Sequence, residues 1–252
     1  MVAALSSFTP ATLALAPLIV LLAYTILGTT GFGASITAMP LLAHLLPLRF
    51  AVPMLLLLDL AASLIIGTRN RAAIARPELK LLVPFMFLGI ALGATVLINA
   101  PARWLMLALG LFVLCYAAYS MLTGVRAGPI GLGWAVPLGT LGGVFSALFG
   151  TGGPIYAIYL ARRLPDKSAL RATIATVITL SAISRLGVFA VAGLYAQPNI
   201  LTLAAGLFPF ALAGLWLGNR LHHRLAAKKV KQVLWLILIA GGMSLLARSL
   251  LG

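Results

Sequence analysis

Two ionisable residues interrupt long apolar runs. Asp59 stands inside PMLLLLDLAASLIIG and Arg185 inside LSAISRLGVF. A charge held in such a run costs several kcal/mol at the centre of a bilayer and is a functional hypothesis by default. The chain also carries two glycine-rich breaks, Thr29-Thr30-Gly31-Phe32-Gly33-Ala34-Ser35 and Ser146-Ala147-Leu148-Phe149-Gly150-Thr151-Gly152-Gly153-Pro154, each followed by a short apolar segment. Glycine lets a ligand approach the backbone closely, and a helix beginning there presents free N–H groups and a partial positive charge to an anion. The candidate substrate-binding set is therefore Thr29, Thr30, Gly31, Phe32, Gly33, Ser35, Ser146, Gly150, Thr151, Gly152, Gly153 and Arg185. A tight turn between two helices would use the same residues, and at this level the two readings weigh about equally.

Asp59 and Arg185 admit three readings. They form a structural pair; or Arg185 holds a substrate anion while Asp59 serves as its resting counter-ion or as a proton-coupling site; or Arg185 snorkels to the outer interface. Thr173, Ser181 and Ser184 share one face of the surrounding helix, with Thr176 at its edge. They either line an anion path or return to their own backbone, the commoner habit of hydroxyls in membrane helices. His44, the His222-His223 pair and the lone Cys115 have no metal-ligand company, so no metal and no cofactor is expected. Trp104, Trp134 and Trp235, near helix starts, read as interfacial anchors.

The elements that must position these groups follow from composition. Of 252 residues, 62% are hydrophobic and only 8% charged, with 18 Lys+Arg against 3 Asp+Glu, a net charge of +15. Soluble domains carry about 25% charged residues, so a water-facing globular surface cannot be built, and a nucleic-acid partner is excluded with it. An all-α polytopic membrane protein remains. Apolar windows between Gly, Pro and charge predict about ten transmembrane helices: 11–29, 33–46, 50–67, 81–99, 102–123, 131–149, 153–164, 168–195, 200–218 and 232–250. The N-terminal stretch lacks a basic region before its apolar run, so the first helix is expected to stay uncleaved. Ten crossings place Arg69, Arg71, Arg76, Lys80, Arg126, Arg162, Arg163, Lys167, Arg171, Arg220, Arg224, Lys228, Lys229 and Lys231 on one side. Only Arg49, Arg103 and Arg248 fall on the other. By the positive-inside rule both termini lie outside the cytoplasm. Glu78 and Asp166 fall in loops, leaving Asp59 as the one acid within a span. The cations then set topology and touch anionic lipid.

The chain repeats itself. Pro84-Phe85-xxx-Gly89-xx-Leu92-Gly93 recurs as Pro209-Phe210-xxx-Gly214-xx-Leu217-Gly218; Phe32-Gly33 recurs as Phe149-Gly150; Pro47, Ala51 and Ser63 recur as Pro165, Ala169 and Ser181. Five helices per copy is an odd number, so residues 1–126 and 127–252 are expected to be two inverted five-helix repeats of one membrane domain. Inverted repeats with broken helices are the pattern of alternating-access carriers. The Gly-xxx-Gly pairs also read as plain close packing of helices.

The stretches GTTGFGASITAMPLLAHLLPLRFAVPMLLLL and GGVFSALFGTGGPIYAIYLARRLPDKSALRAT resemble the two glycine-rich signatures of the TauE/SafE sulfite-exporter family, the toluene sulfonate uptake permeases. Gly31, Gly33, Pro40, Pro47, Ala51 and Val52 fit the first copy, and Gly143, Ser146, Gly150, Gly152, Gly153, Leu164, Pro165 and Ala169 fit the second. The chain departs at Ala34-Ser35 and Ala147, where relatives carry more glycine. The resemblance implies a carrier of small anions such as sulfite, organosulfonates and thiosulfate in a bacterial inner membrane. Paired carboxylates, a His-rich set and Gly-x-Ser-x-Gly are missing from the sequence, which argues against an intramembrane enzyme; an anion channel is the other rival class. An inside-negative membrane favours export of an anion. Proton-coupled uptake of carboxylates or sulfonates is the alternative, and a homodimer is compatible with all of this.

Overall fold

The computed structural model describes residues 8–31, 33–66, 73–122, 128–221 and 227–251, and among them all regular structure is helical. Ten α-helices follow in order: α1 Pro10–Thr30, α2 Ala34–Leu42, α3 Leu48–Ile66, α4 Arg76–Asn99, α5 Ala102–Leu122, α6 Ala135–Phe149, α7 Gly152–Arg163, α8 Lys167–Val191, α9 Ile200–Leu221 and α10 Ala227–Leu251. Seven of the described helical stretches are long and apolar enough to cross a membrane. Of the ten expected spans, α2, α3 and α7 are not among these seven; α2 has 9 residues and α7 has 12, or about 13 and 18 Å at 1.5 Å per residue.

Local chemistry sets the ends. The Thr9 hydroxyl accepts the Thr12 N–H, Pro10 pre-sets the first turn of α1, and Gly31 stops the helix in the left-handed region at φ 81°. Gly33, at φ 103°, opens α2 with no side-chain cap. Gly150, at φ 72°, closes α6 in the same way. These are backbone states that L side chains resist, so both breaks are written into the glycines. Several expected boundaries move, and two of the shifts have a local cause. α4 begins at Arg76, five residues ahead of the position read from hydropathy, because Pro77 suits a first turn and Glu78 favours the positive helix end. This corrects the placement of Glu78 in a loop. α8 ends at Val191, and Gly193, at φ 70°, turns the chain into the short 3₁₀ helix Leu194–Ala196.

Packing is crosswise. α4 lies on α6, α9 lies on α1, and α5 lies on α10. Glycines set the spacing: a Cβ added at Gly93 would sit 2.6 Å from the Val144 carbonyl oxygen, and one at Gly214 would sit 2.5 Å from that of Leu21. The backbones can approach so closely only because no side chain intervenes. Large apolar residues such as Leu88, Trp104, Trp216 and Leu236 face outward, as expected where the solvent is lipid.

Candidate functional site

The two breaks meet. A Cβ at Gly150 would lie 2.8 Å from the Ser35 hydroxyl oxygen and 3.5 Å from Arg185 Nη1. Around this point is a cavity of about 80 Å³, room for a few waters or a small ion. The first break supplies Gly31, Gly33, Ala34, Ser35 and Ile36 to its wall; the second supplies Gly150, Thr151, Gly153 and Pro154. Asp59 and Ser63 of α3, Ser146 of α6, Tyr156 of α7 and a stripe of α8 from Ala175 through Thr179 and Ser181 to Arg185 complete it. Both short helices start at the cavity, so their first-turn N–H groups, which have no partner within the helix, are set around it.

Asp59 receives two short hydrogen bonds. Tyr24 of α1 donates to Oδ1 at 2.7 Å and Ser35 of α2 donates to Oδ2 at 2.6 Å. The carboxylate thus ties together the helices on either side of the first break. Arg185 holds the second: its Nη1 donates to the Ser146 carbonyl at 3.0 Å, in the last turn of α6. Arg185 is 3% exposed, and its Nε is buried without a hydrogen-bond partner. The guanidinium therefore turns into the protein and does not snorkel. Arg185 and Asp59 line one cavity but form no ion pair; the pair found among the described residues is Arg163 with Glu78. The fully buried Tyr156 hydroxyl also lacks a well-formed hydrogen bond and lies near Ser146 and Ser181, whose own hydroxyls are 2.7 Å apart.

Of the residues singled out in the sequence, Gly31, Gly33, Ser35, Asp59, Ser146, Gly150, Thr151, Gly153 and Arg185 line the cavity. Thr29 and Thr30 do not: both hydroxyls donate to the Ile26 carbonyl. Gly152 packs against the Gly142 carbonyl, Ser146 and the Tyr156 ring, and Phe32 lies outside the described residues. On α8, Ser181 faces the cavity, while Thr176 and Ser184 return to their own backbone and Thr173 accepts the Ala75 N–H. Tyr24, Tyr156, Ser63 and Thr179 were not anticipated. The one signal for the tyrosines was a polar tip in an apolar helix, which needs a partner when buried.

A second buried acid stands away from the cavity. Glu78, 7% exposed, receives Arg163 Nε and Nη2 on Oε1 at 3.0 and 2.8 Å and the Tyr159 hydroxyl on Oε2 at 2.8 Å. Arg163 Nη1 also donates to the Ile130 carbonyl at 3.1 Å. This cluster joins the start of α4 to the end of α7.

A helical bundle with seven membrane-length helices, folded around a small polar cavity between two broken helices, defines a polytopic membrane protein of the transporter class. The chain belongs to the sulfite exporter TauE/SafE family, whose model matches residues 16–245, and is an integral membrane transporter. It is similar to a "Probable inner membrane transporter protein TsaS" of Comamonas testosteroni, 28% identical over 193 residues that cover 76% of this chain and 81% of the relative. No solved structure matches it significantly.

Proposed function

We propose that this protein carries a small oxyanion, sulfite or a related organosulfur anion, across the inner membrane by alternating access between two inverted five-helix repeats. The observation that carries this reading is Arg185. A permanently charged guanidinium, buried with its Nε unpartnered, stands where the two broken helices meet. Arg185 makes no direct ion pair with Asp59 across the cavity, so a bound anion would supply the contact partner that its guanidinium lacks. Gly31, Gly33, Ser35, Gly150, Thr151 and Gly153 bring backbone and hydroxyl groups to the same space. Thr29, Thr30 and Gly152 support the breaks from behind it. The crosswise packing of α4 on α6 and α9 on α1 supports the repeat reading, since the fourth helix of each half lies on the first helix of the other. With the basic residues inside, both termini face outward. Carried alone, an anion is driven out of an inside-negative cell, so export is the default direction. A second reading, proton-coupled uptake, is favoured by the hydrogen bonds of Asp59.

The experiment is sulfite and methanesulfonate counterflow in proteoliposomes made with the wild type and with Arg185→Met. Methionine keeps much of the volume and removes the charge. The variant should purify as a monodisperse protein and exchange neither anion above background. Exchange at the wild-type rate would remove Arg185 from the site.

A further inference from the structure

We infer that Asp59 takes up a proton with each anion, and that the Ser35 hydroxyl is the switch that couples the two. This rests on the anion site proposed above and takes its second, proton-coupled reading: one proton with one monovalent anion moves no net charge, so the membrane potential no longer sets the direction of transport.

The first argument is charge. Arginine stays protonated, so the charge of Arg185 is constant and only Asp59 can change the net charge of the cavity wall. With Asp59 ionised, the two cancel and an entering monovalent anion leaves an uncompensated buried charge. With Asp59 protonated, the wall is singly positive and the anion neutralises it. Buried charge is tolerated only when paired. The groups that act on Asp59 are Tyr24 from α1, Ser35 from α2 and Arg185 from α8. Among the described residues of α4, α6 and α9, which also pack on α3, no ionisable side chain acts on it; Tyr195, beyond α8, acts on Arg185 instead.

The second argument is hydrogen-bond direction. As a carboxylate, Asp59 can only accept, and it does so from Tyr24 and from Ser35. The Ser35 hydrogen is then committed, and its oxygen shows lone pairs to a cavity meant for an anion. When Asp59 gains a proton on Oδ2, that O–H donates to Ser35 Oγ. The Ser35 hydrogen is released and turns toward the cavity beside Gly150, where it donates to the anion. Nothing is oxidised or reduced: one proton enters from water on the side to which the cavity is open, and proton and anion leave together on the other. Tyr24 donates to Oδ1 in both states and keeps the carboxyl in place.

The test uses methanesulfonate, whose charge does not vary near neutral pH, with the full-length protein. For the wild type, the methanesulfonate Kd should rise by about tenfold per pH unit once Asp59 is mostly ionised, the limit for one proton per anion, and an inward methanesulfonate gradient should acidify the proteoliposome lumen. In Asp59→Asn the amide N–H₂ takes the place of the acid O–H. This variant should bind with a Kd that does not vary with pH and that matches the low-pH limit of the wild type, without lumen acidification. Ser35→Ala, a small change in a buried wall, should weaken binding mainly at low pH and so flatten the profile. A pH-independent wild-type Kd, or acidification that survives in Asp59→Asn, overturns the proton link while leaving the anion site intact. Absence of both methanesulfonate and sulfite exchange in the wild type would overturn the proposed function and the proton link with it.

Discussion

At the scale of single residues, the three acids of the chain are handled in three ways: Asp59 accepts from two hydroxyls, Glu78 from a guanidinium and a hydroxyl, and Asp166 caps α8 by accepting the Ala169 N–H. Glu78 satisfies both oxygens through Arg163 and Tyr159. Glu78→Gln removes the charge that both guanidinium bonds depend on, and the cost should be about 1–3 kcal/mol, read as a lower melting temperature in detergent. Methanesulfonate affinity should not change, because Glu78 does not line the cavity. His44 offers a pH test. Burial and then the nearby Arg248 hold its imidazole below the ordinary range. The unfolded chain therefore binds a proton that the folded chain resists. Stability from neutral His44 is full above the unfolded value of about 6.5 and is lost as pH falls through the window beneath it. His44→Gln should flatten the decline in melting temperature between about pH 7.5 and 5.5; an unchanged slope would place the pH sensitivity elsewhere. Asp59 and Arg185 were legible in the sequence because a charge in an apolar run has no innocent surroundings. Tyr24 was not, since nothing in the apolar stretch around it says that its hydroxyl reaches a carboxylate 35 residues away. Glu78 was misread because RPELK looks like a polar loop, although a proline followed by an acid is also how a helix begins.

Among elements, glycine performs two different tasks, and sequence separates them unevenly. Gly31, Gly33 and Gly150 hold positive φ and end or begin helices, which the clustering of glycine at two places announced. Gly89, Gly93, Gly214 and Gly218 instead allow backbones to touch, and the five-position repeat around them revealed that they matter but not which helix each one meets. That information is tertiary: α4 lies on α6 and α9 on α1, each far away in the chain. The two tasks can be distinguished by substitution. Gly93→Val places a branched side chain against the Val144 backbone, which cannot yield as a flexible side chain would. The cost should exceed about 3 kcal/mol, with loss of monodisperse protein on size exclusion. Gly206, on α9, has open space where its Cβ would be. Gly206→Ala should leave the protein unharmed or raise its melting temperature slightly, in line with about 0.5–1 kcal/mol gained from helix propensity. Equal damage from both would mean that the close α4–α6 contact is not what holds the bundle together.

For the whole molecule, the claim that carries most consequence is the inverted repeat we propose, because it decides which face of the membrane each broken helix serves. In that arrangement α1 and α6 are equivalent helices that enter from opposite sides, so their starting residues should be labelled from opposite sides. Ala11 in the first turn of α1 and Gly131 just before α6 are both exposed, and Cys115 is the sole cysteine of the chain. In a Cys115→Ala background, Ala11→Cys should react with a membrane-impermeant maleimide on intact cells, and Gly131→Cys only after permeabilisation. The positive-inside rule predicts that order, since the loop before α6 carries Arg126 and precedes the cation-rich segments Arg162–Arg171 and Arg220–Lys231. Reversed labelling would keep the inversion and turn the protein over, making the basic loops external. Labelling of both positions from one side would remove the inversion altogether. The cavity would then need another means of facing each side in turn, because two halves with the same orientation do not exchange roles when one rocks against the other.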